Sequence, residues 1–128
     1  MKRFFIFAFV LTFAASAVYA QQALTPVAST LEETVAISGD VVDNLCAGSQ
    51  KPEDLAVFVR THTKECALAP GCAASGYAIF ADGTLYKFDK ESSAKVEEFL
   101  KKDDSTLKVV VEAKKSDQGL SLVSIKNQ

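Results

Sequence analysis

The chain has 128 residues, with 14 basic against 16 acidic side chains, three Cys, one His, one Met and no Trp. That length suits a single domain with a modest core. The acidic balance argues against a nucleic-acid surface, whose affinity rests on cationic contacts to phosphate.

The first twenty residues have the pattern of a cleavable secretory signal. Lys2 and Arg3 form a positive start, Phe4 to Ala17 is uncharged and almost wholly apolar, and Val18-Tyr19-Ala20 sets small residues around a cut before Gln21. The apolar run is shorter than the ~20 residues a spanning helix needs. No membrane span is therefore expected after cleavage, and the expected location is periplasmic or secreted. Cleavage would remove Lys2, Arg3 and the only Met, leaving 12 basic against 16 acidic residues in the segment from Gln21 onward. Export would also place the thiols in an oxidising space.

Residues 21–32 are polar and small with one Pro, and read as a flexible lead-in; residues 33–128 read as one domain. Thr34 to Val42 alternates, with Val35, Ile37 and Val41 on one face, which predicts a strand. Gly39 inside it suggests a bulge or sharp bend. Lys51-Pro52-Glu53-Asp54 starts a helix, with Pro at its first position and two acids at its positive end. Leu55, Phe58, Val59, His62 and Cys66 follow at helical spacing, and Pro70-Gly71 must end that helix. Tyr77 to Phe80 and Thr84 to Phe88 flank Ala81-Asp82-Gly83, a hairpin signal. Their aromatic residues are expected to fill both sides of a sheet.

Ser92 or Ser93 is positioned to cap a second helix with Val96, Phe99 and Leu100 as its buried stripe. Glu97-Glu98 and Lys101-Lys102 give that helix a solvated face with pairs four apart. Leu107 to Ala113 alternates as a strand. Leu120 to Ile125 makes a last strand whose apolar phase slips between Leu122 and Val123, the mark of a bulge. The order strand, helix, strand, strand, helix, strand, strand predicts a mainly β fold of α+β type. It matches a five-stranded OB-like small barrel, with a helical insert between strands 1 and 2 and a helix between strands 3 and 4. An open α+β sandwich has the same element order.

All three cysteines and the only histidine fall within 27 residues of that insert, spaced Cys46-x15-His62-x3-Cys66-x5-Cys72. On a helix continuing through residue 66, His62 and Cys66 would share a face. Three thiolates and one imidazole would complete a closed tetrahedral zinc site, with no open position for substrate. Two cysteines could instead form a disulfide, leaving one over and His62 as a core residue. Both readings stand at this level, and a reactive thiol near His62 is a third. The expected metal is zinc, with no other cofactor. Neither Cys-x-x-Cys-His for haem nor Cys-x-x-Cys for redox exchange is present, and Met-based copper sites are excluded from the segment after residue 20. Asp40 and Asp43 at the end of the first strand are expected to be solvated, as paired surface acids commonly are.

The segments Ser38-Gly39-Asp40-Val41-Val42-Asp43-x-x-Cys46, His62-Thr63-Lys64-Glu65-Cys66 and Ser75-Gly76-Tyr77 to Lys87-Phe88-Asp89 resemble those of a family of small exported bacterial proteins. Such proteins pair a secretory signal with one OB-like β domain. The resemblance spans nearly the whole chain beyond residue 20 and implies fold and compartment; the family carries no established activity. The expected function is thus a non-enzymatic exported module with a metal-binding or disulfide-stapled insert, and an envelope protein or polymer as partner.

Overall fold

The computed structural model describes residues 33–128; the predicted signal and lead-in lie outside them. The elements run β1 (Thr34–Asp43), α1 (Asn44–Gly48), α2 (Pro52–Thr61), α3 (Lys64–Ala67), α4 (Pro70–Ala74), β2 (Tyr77–Ala81), β3 (Thr84–Lys87), α5 (Lys90–Leu100), β4 (Lys108–Ser116) and β5 (Gly119–Asn127). The strands form one antiparallel sheet in the order β3-β2-β1-β4-β5. The fold is mainly β, five-stranded, with the Cys/His insert between β1 and β2 and α5 between β3 and β4.

β1 is the central strand and serves two neighbours in succession. Thr34 to Asp40 pair with β4, and Asp40 to Asp43 pair with β2. Gly39 stands at this hand-over, yet the register passes through it without interruption, so the expected bulge is absent there. The glycine serves close approach instead: a Cβ at Gly39 would lie 2.3 Å from the Phe80 carbonyl oxygen. The bulge sits in β5. Glu112 pairs with Ser124 and Ala113 with Leu122, so Val123 is the extra residue, and it is exposed. The phase slip read from the sequence is this irregularity.

Consecutive residues of a strand point to opposite faces, and Val41 and Val42 are both buried because each face carries its own core. Val41, Tyr77, Ile79, Val109, Val111, Ala113, Leu120 and Leu122 pack beneath Val96 and Leu100 of α5 and Ala67 of α3. On the other face Val42 and Ala78 pack against Ala47 of α1 and Leu55 and Val59 of α2.

The hairpin turns through Asp82 (φ 50°) and Gly83 (φ 77°), as its sequence predicts. The second helix starts earlier than expected. Asp89 is its cap, with the Ser92 N–H donating to Asp89 Oδ1 at 2.7 Å. Ser92 and Ser93 lie inside α5 and are buried. Their hydroxyls accept from the N–H groups of Leu122 (2.7 Å) and Tyr77 (3.1 Å), tying α5 to β5 and β2.

The edge strands β3 and β5 approach each other at one parallel bridge, Phe88 to Leu120, supported by the Asp89 N–H donating to the Leu120 carbonyl at 3.0 Å. Gly119 (φ +116°) permits this approach, since a Cβ there would meet the Lys87 oxygen at 2.7 Å. A single bridge is not a ladder, and the sheet is not closed into a barrel. No helix among the described residues is long and apolar enough to cross a membrane.

Candidate metal centre

The insert is four helices, not one. α2 ends at Thr61, and His62 is its C-cap with extended backbone (φ −67°, ψ 137°). Thr63 then caps a new turn, its Oγ1 accepting from the Cys66 N–H at 3.2 Å. A Thr that caps the next turn competes with continuation of the preceding helix. His62 and Cys66 therefore do not share a helical face, contrary to the apolar spacing.

The three cysteines occupy equivalent places. Asp43, Thr63 and Ala69 are the N-caps of α1, α3 and α4, and Cys46, Cys66 and Cys72 each stand three residues after their cap. Two of the caps are side-chain caps: Asp43 Oδ1 accepts from the Cys46 N–H at 2.8 Å, as Thr63 does for Cys66. Pro70 opens the third turn at a position where its missing N–H is no loss.

Helices of one turn do not hold themselves together in water, and each is fixed from outside. The Asn44 side-chain amide donates to the Ser75 carbonyl (3.0 Å), while Ser75 Oγ accepts from the Leu45 N–H (3.0 Å) and donates to the Cys72 carbonyl (2.6 Å). These bonds join α1 to α4. The Tyr77 hydroxyl donates to the Ala67 carbonyl (2.8 Å), and Lys64 Nζ donates to the carbonyls of Lys102 (3.0 Å) and Ser105 (3.1 Å). Those bonds lock α3 onto β2 and the end of α5.

The result brings three sulfurs to one point. Cys46 Sγ lies 3.9 Å from Cys66 Sγ and 3.7 Å from Cys72 Sγ, and all three fall within 4.8 Å of one another. No cysteine among the described residues is disulfide-bonded. Tetrahedral zinc with Zn–S of about 2.3 Å separates its sulfurs by about 3.8 Å. Cys72 is buried, Cys46 half-buried and Cys66 exposed, so the group is open on one side.

Burial pushes the Cys46 thiol up to about 12, with the neighbouring Cys72 thiol and the Asp43 carboxylate acting in the same direction. Burial also raises Cys72; its hydrogen bond to Cys46 opposes this, and Asp43 reinforces it. Both shifts favour the protonated thiols. A bound metal ion inverts that balance by stabilising the thiolates.

His62 is not among the three grouped sulfurs. Its Nε2 faces Asp43 Oδ2 at 3.1 Å, with both side chains at most 1% exposed. Neither atom makes a hydrogen bond among the described residues, so this is a close polar approach of two buried groups. The imidazole also leans on Phe58, ring centroids 5.0 Å apart. Asp43, expected to be solvated, is instead fully buried between the histidine and the sulfurs of Cys46 and Cys72.

The sequence reading overlooked Asp43 as a member of the site, although the strings Asp43-x-x-Cys46 and Thr63-x-x-Cys66 are both capping patterns that end in cysteine. No protein-family model, curated protein or solved structure matches this chain.

Proposed function

We propose that the chain is an exported, non-enzymatic module with an OB-like domain, whose three cysteines hold a thiophilic metal ion, zinc, in a structural role. The observation that carries this reading is the convergence of Cys46, Cys66 and Cys72 from three separately capped turns, with sulfur separations of 3.7 and 3.9 Å. A zinc ion would clamp together turns too short to persist alone. The strand order and the Phe88–Leu120 bridge support the OB-like part of the proposal. The signal-like first twenty residues and the family resemblance support export.

The test is metal content by elemental analysis, with intact mass, on full-length gene product recovered from the periplasm or medium. The expected result is close to one equivalent of zinc with three free thiols after chelation. Less than about 0.2 equivalents of any metal, together with a mass two hydrogens below the reduced chain, would overturn it.

The 3.7 Å separation of Cys46 and Cys72 supports a second reading, in which these two form a disulfide that staples α1 to α4. It predicts that a chelator leaves the melting temperature unchanged while a reductant lowers it.

A further inference from the structure

Resting on the metal-binding reading above, the structure points to a ligand that the cysteine and histidine pattern does not contain. We propose that Asp43 is the fourth donor to a metal held by Cys46, Cys66 and Cys72, with His62 as the outer partner that orients its carboxylate.

Three observations support this. Asp43 is completely buried, and a carboxylate without a compensating partner is costly in such a place. Its carboxylate neighbours the Cys46 and Cys72 thiols but stands outside the 4.8 Å group of the three sulfurs, so a cation among the sulfurs would draw it inward to complete the shell. Its hydrogen-bond capacity is also incompletely used. Oδ1 accepts from the Cys46 N–H, whereas the buried Oδ2, 3.1 Å from His62 Nε2, makes no hydrogen bond.

His62, the donor that the residue pattern suggests, lies outside the sulfur group and faces the same carboxylate. Its Nε2 stands 3.1 Å from Asp43 Oδ2, and it caps α2 from a backbone position fixed by its N–H donating to the Phe58 carbonyl at 2.9 Å. A ligating carboxylate is itself normally hydrogen-bonded, and an imidazole N–H is suited to that role. A carboxylate oxygen in the shell also selects the metal. Zinc, cadmium and cobalt(II) accept mixed sulfur and oxygen donors, whereas monovalent copper favours sulfur alone. The exposed Cys66 side gives the ion its way in.

The experiment uses the full-length protein loaded with zinc for X-ray absorption and with cadmium-113 for NMR, together with Asp43→Asn and His62→Gln. Wild type is expected to show three sulfurs and one oxygen, with no outer-shell scattering from an imidazole. His62→Gln should keep that shell and lose about 10- to 100-fold in zinc affinity. Asp43→Asn should keep α1, since Asn caps as well as Asp, but lose at least about 100-fold and shift the cadmium resonance.

Imidazole scattering in wild type that disappears in His62→Gln would overturn the assignment while leaving the metal-binding reading intact. So would an Asp43→Asn protein with unchanged affinity and shell. A wild-type protein that takes up no metal overturns both. If Asp43→Asn does not fold, the wild-type spectrum and its His62→Gln counterpart decide the question alone.

Discussion

Tyr77→Phe tests whether the site is braced by the core as the geometry indicates. Tyr77 is 1% exposed, and its hydroxyl donates at 2.8 Å to the carbonyl of Ala67, which is itself fully buried. Phe preserves the ring packing and removes only this bond, so the carbonyl is left without a partner. A buried group stranded in this way costs about 1–3 kcal/mol, against roughly 0.5–1.5 kcal/mol for an average hydrogen bond. The void left by one oxygen is small, so the expected loss is about 1–2 kcal/mol. For a domain of this size each kcal/mol lowers the melting temperature by about 4–8 °C. The assay is urea unfolding followed by far-UV circular dichroism, with a lower midpoint and an unchanged slope.

The same pair of proteins carries a pH signature. Burial, and then the charges of Glu97, Asp43 and the Cys72 group, raise the Tyr77 phenol from 10.0 to about 12. A folded value above the unfolded one means that its contribution is complete below pH 10 and is lost as pH rises towards 12. The stability gap between wild type and Tyr77→Phe should therefore narrow across that window. The cysteines titrate in both proteins and cancel in the comparison. A loss smaller than about 0.3 kcal/mol at neutral pH, or a gap independent of pH between 10 and 12, would refute the claim that this hydroxyl holds α3 to the sheet.

Two further substitutions address the frame around the site. Gly39→Ala drives a Cβ to 2.3 Å from the Phe80 oxygen and 3.0 Å from Ile79 Cγ1; because the obstruction is backbone, a loss of about 3 kcal/mol or more is expected in chemical denaturation. Gly48→Ala, which meets nothing within 4 Å, should be near neutral in the same assay. Burial opposes ionisation of Asp89, but the Ser92 N–H and hydroxyl, the Ser121 hydroxyl and the Lys95 charge outweigh it and hold its carboxyl below 3.8. Asp89→Ala should cost about 1 kcal/mol as a lost cap. The folded value is depressed, so the contribution is present above the ordinary carboxyl range and fades as pH falls through the folded value, and acid titration of wild type against Asp89→Ala measures it.

Local signals in the sequence carried most of the fold and failed where two local rules compete. Alternation located β1 and β4, the Asp82-Gly83 turn located β2 and β3, and the slip after Leu122 located the bulge at Val123 in β5. The helix through residue 66 failed because apolar spacing is blind to a cap: Thr63 satisfies the Cys66 N–H and so begins a new turn inside what reads as one stripe. Asp89 displaced Ser92 as the cap of α5 because the Ser92 hydroxyl is needed by the Leu122 N–H, a partner 30 residues away. Closure of the sheet depends on how far its twist carries β3 towards β5, which element order alone does not specify.

The site divides along the same line. That Cys46, Cys66 and Cys72 belong together was legible from their clustering within one insert, since nothing else in the chain competes for them. That Asp43 is buried next to them was not, because an acid at a strand end is ordinarily solvated. Its burial follows from two facts outside its own neighbourhood: α2 covers the face that Val42 presents, and the chain leaves α2 so that His62 arrives 3.1 Å from the carboxylate. The side chain that caps the first cysteine turn is thereby also the one that faces the histidine. The buried carboxylate is bonded directly to the first cysteine turn and His62 is not, so removing Asp43 should disturb the sulfur group more than removing His62.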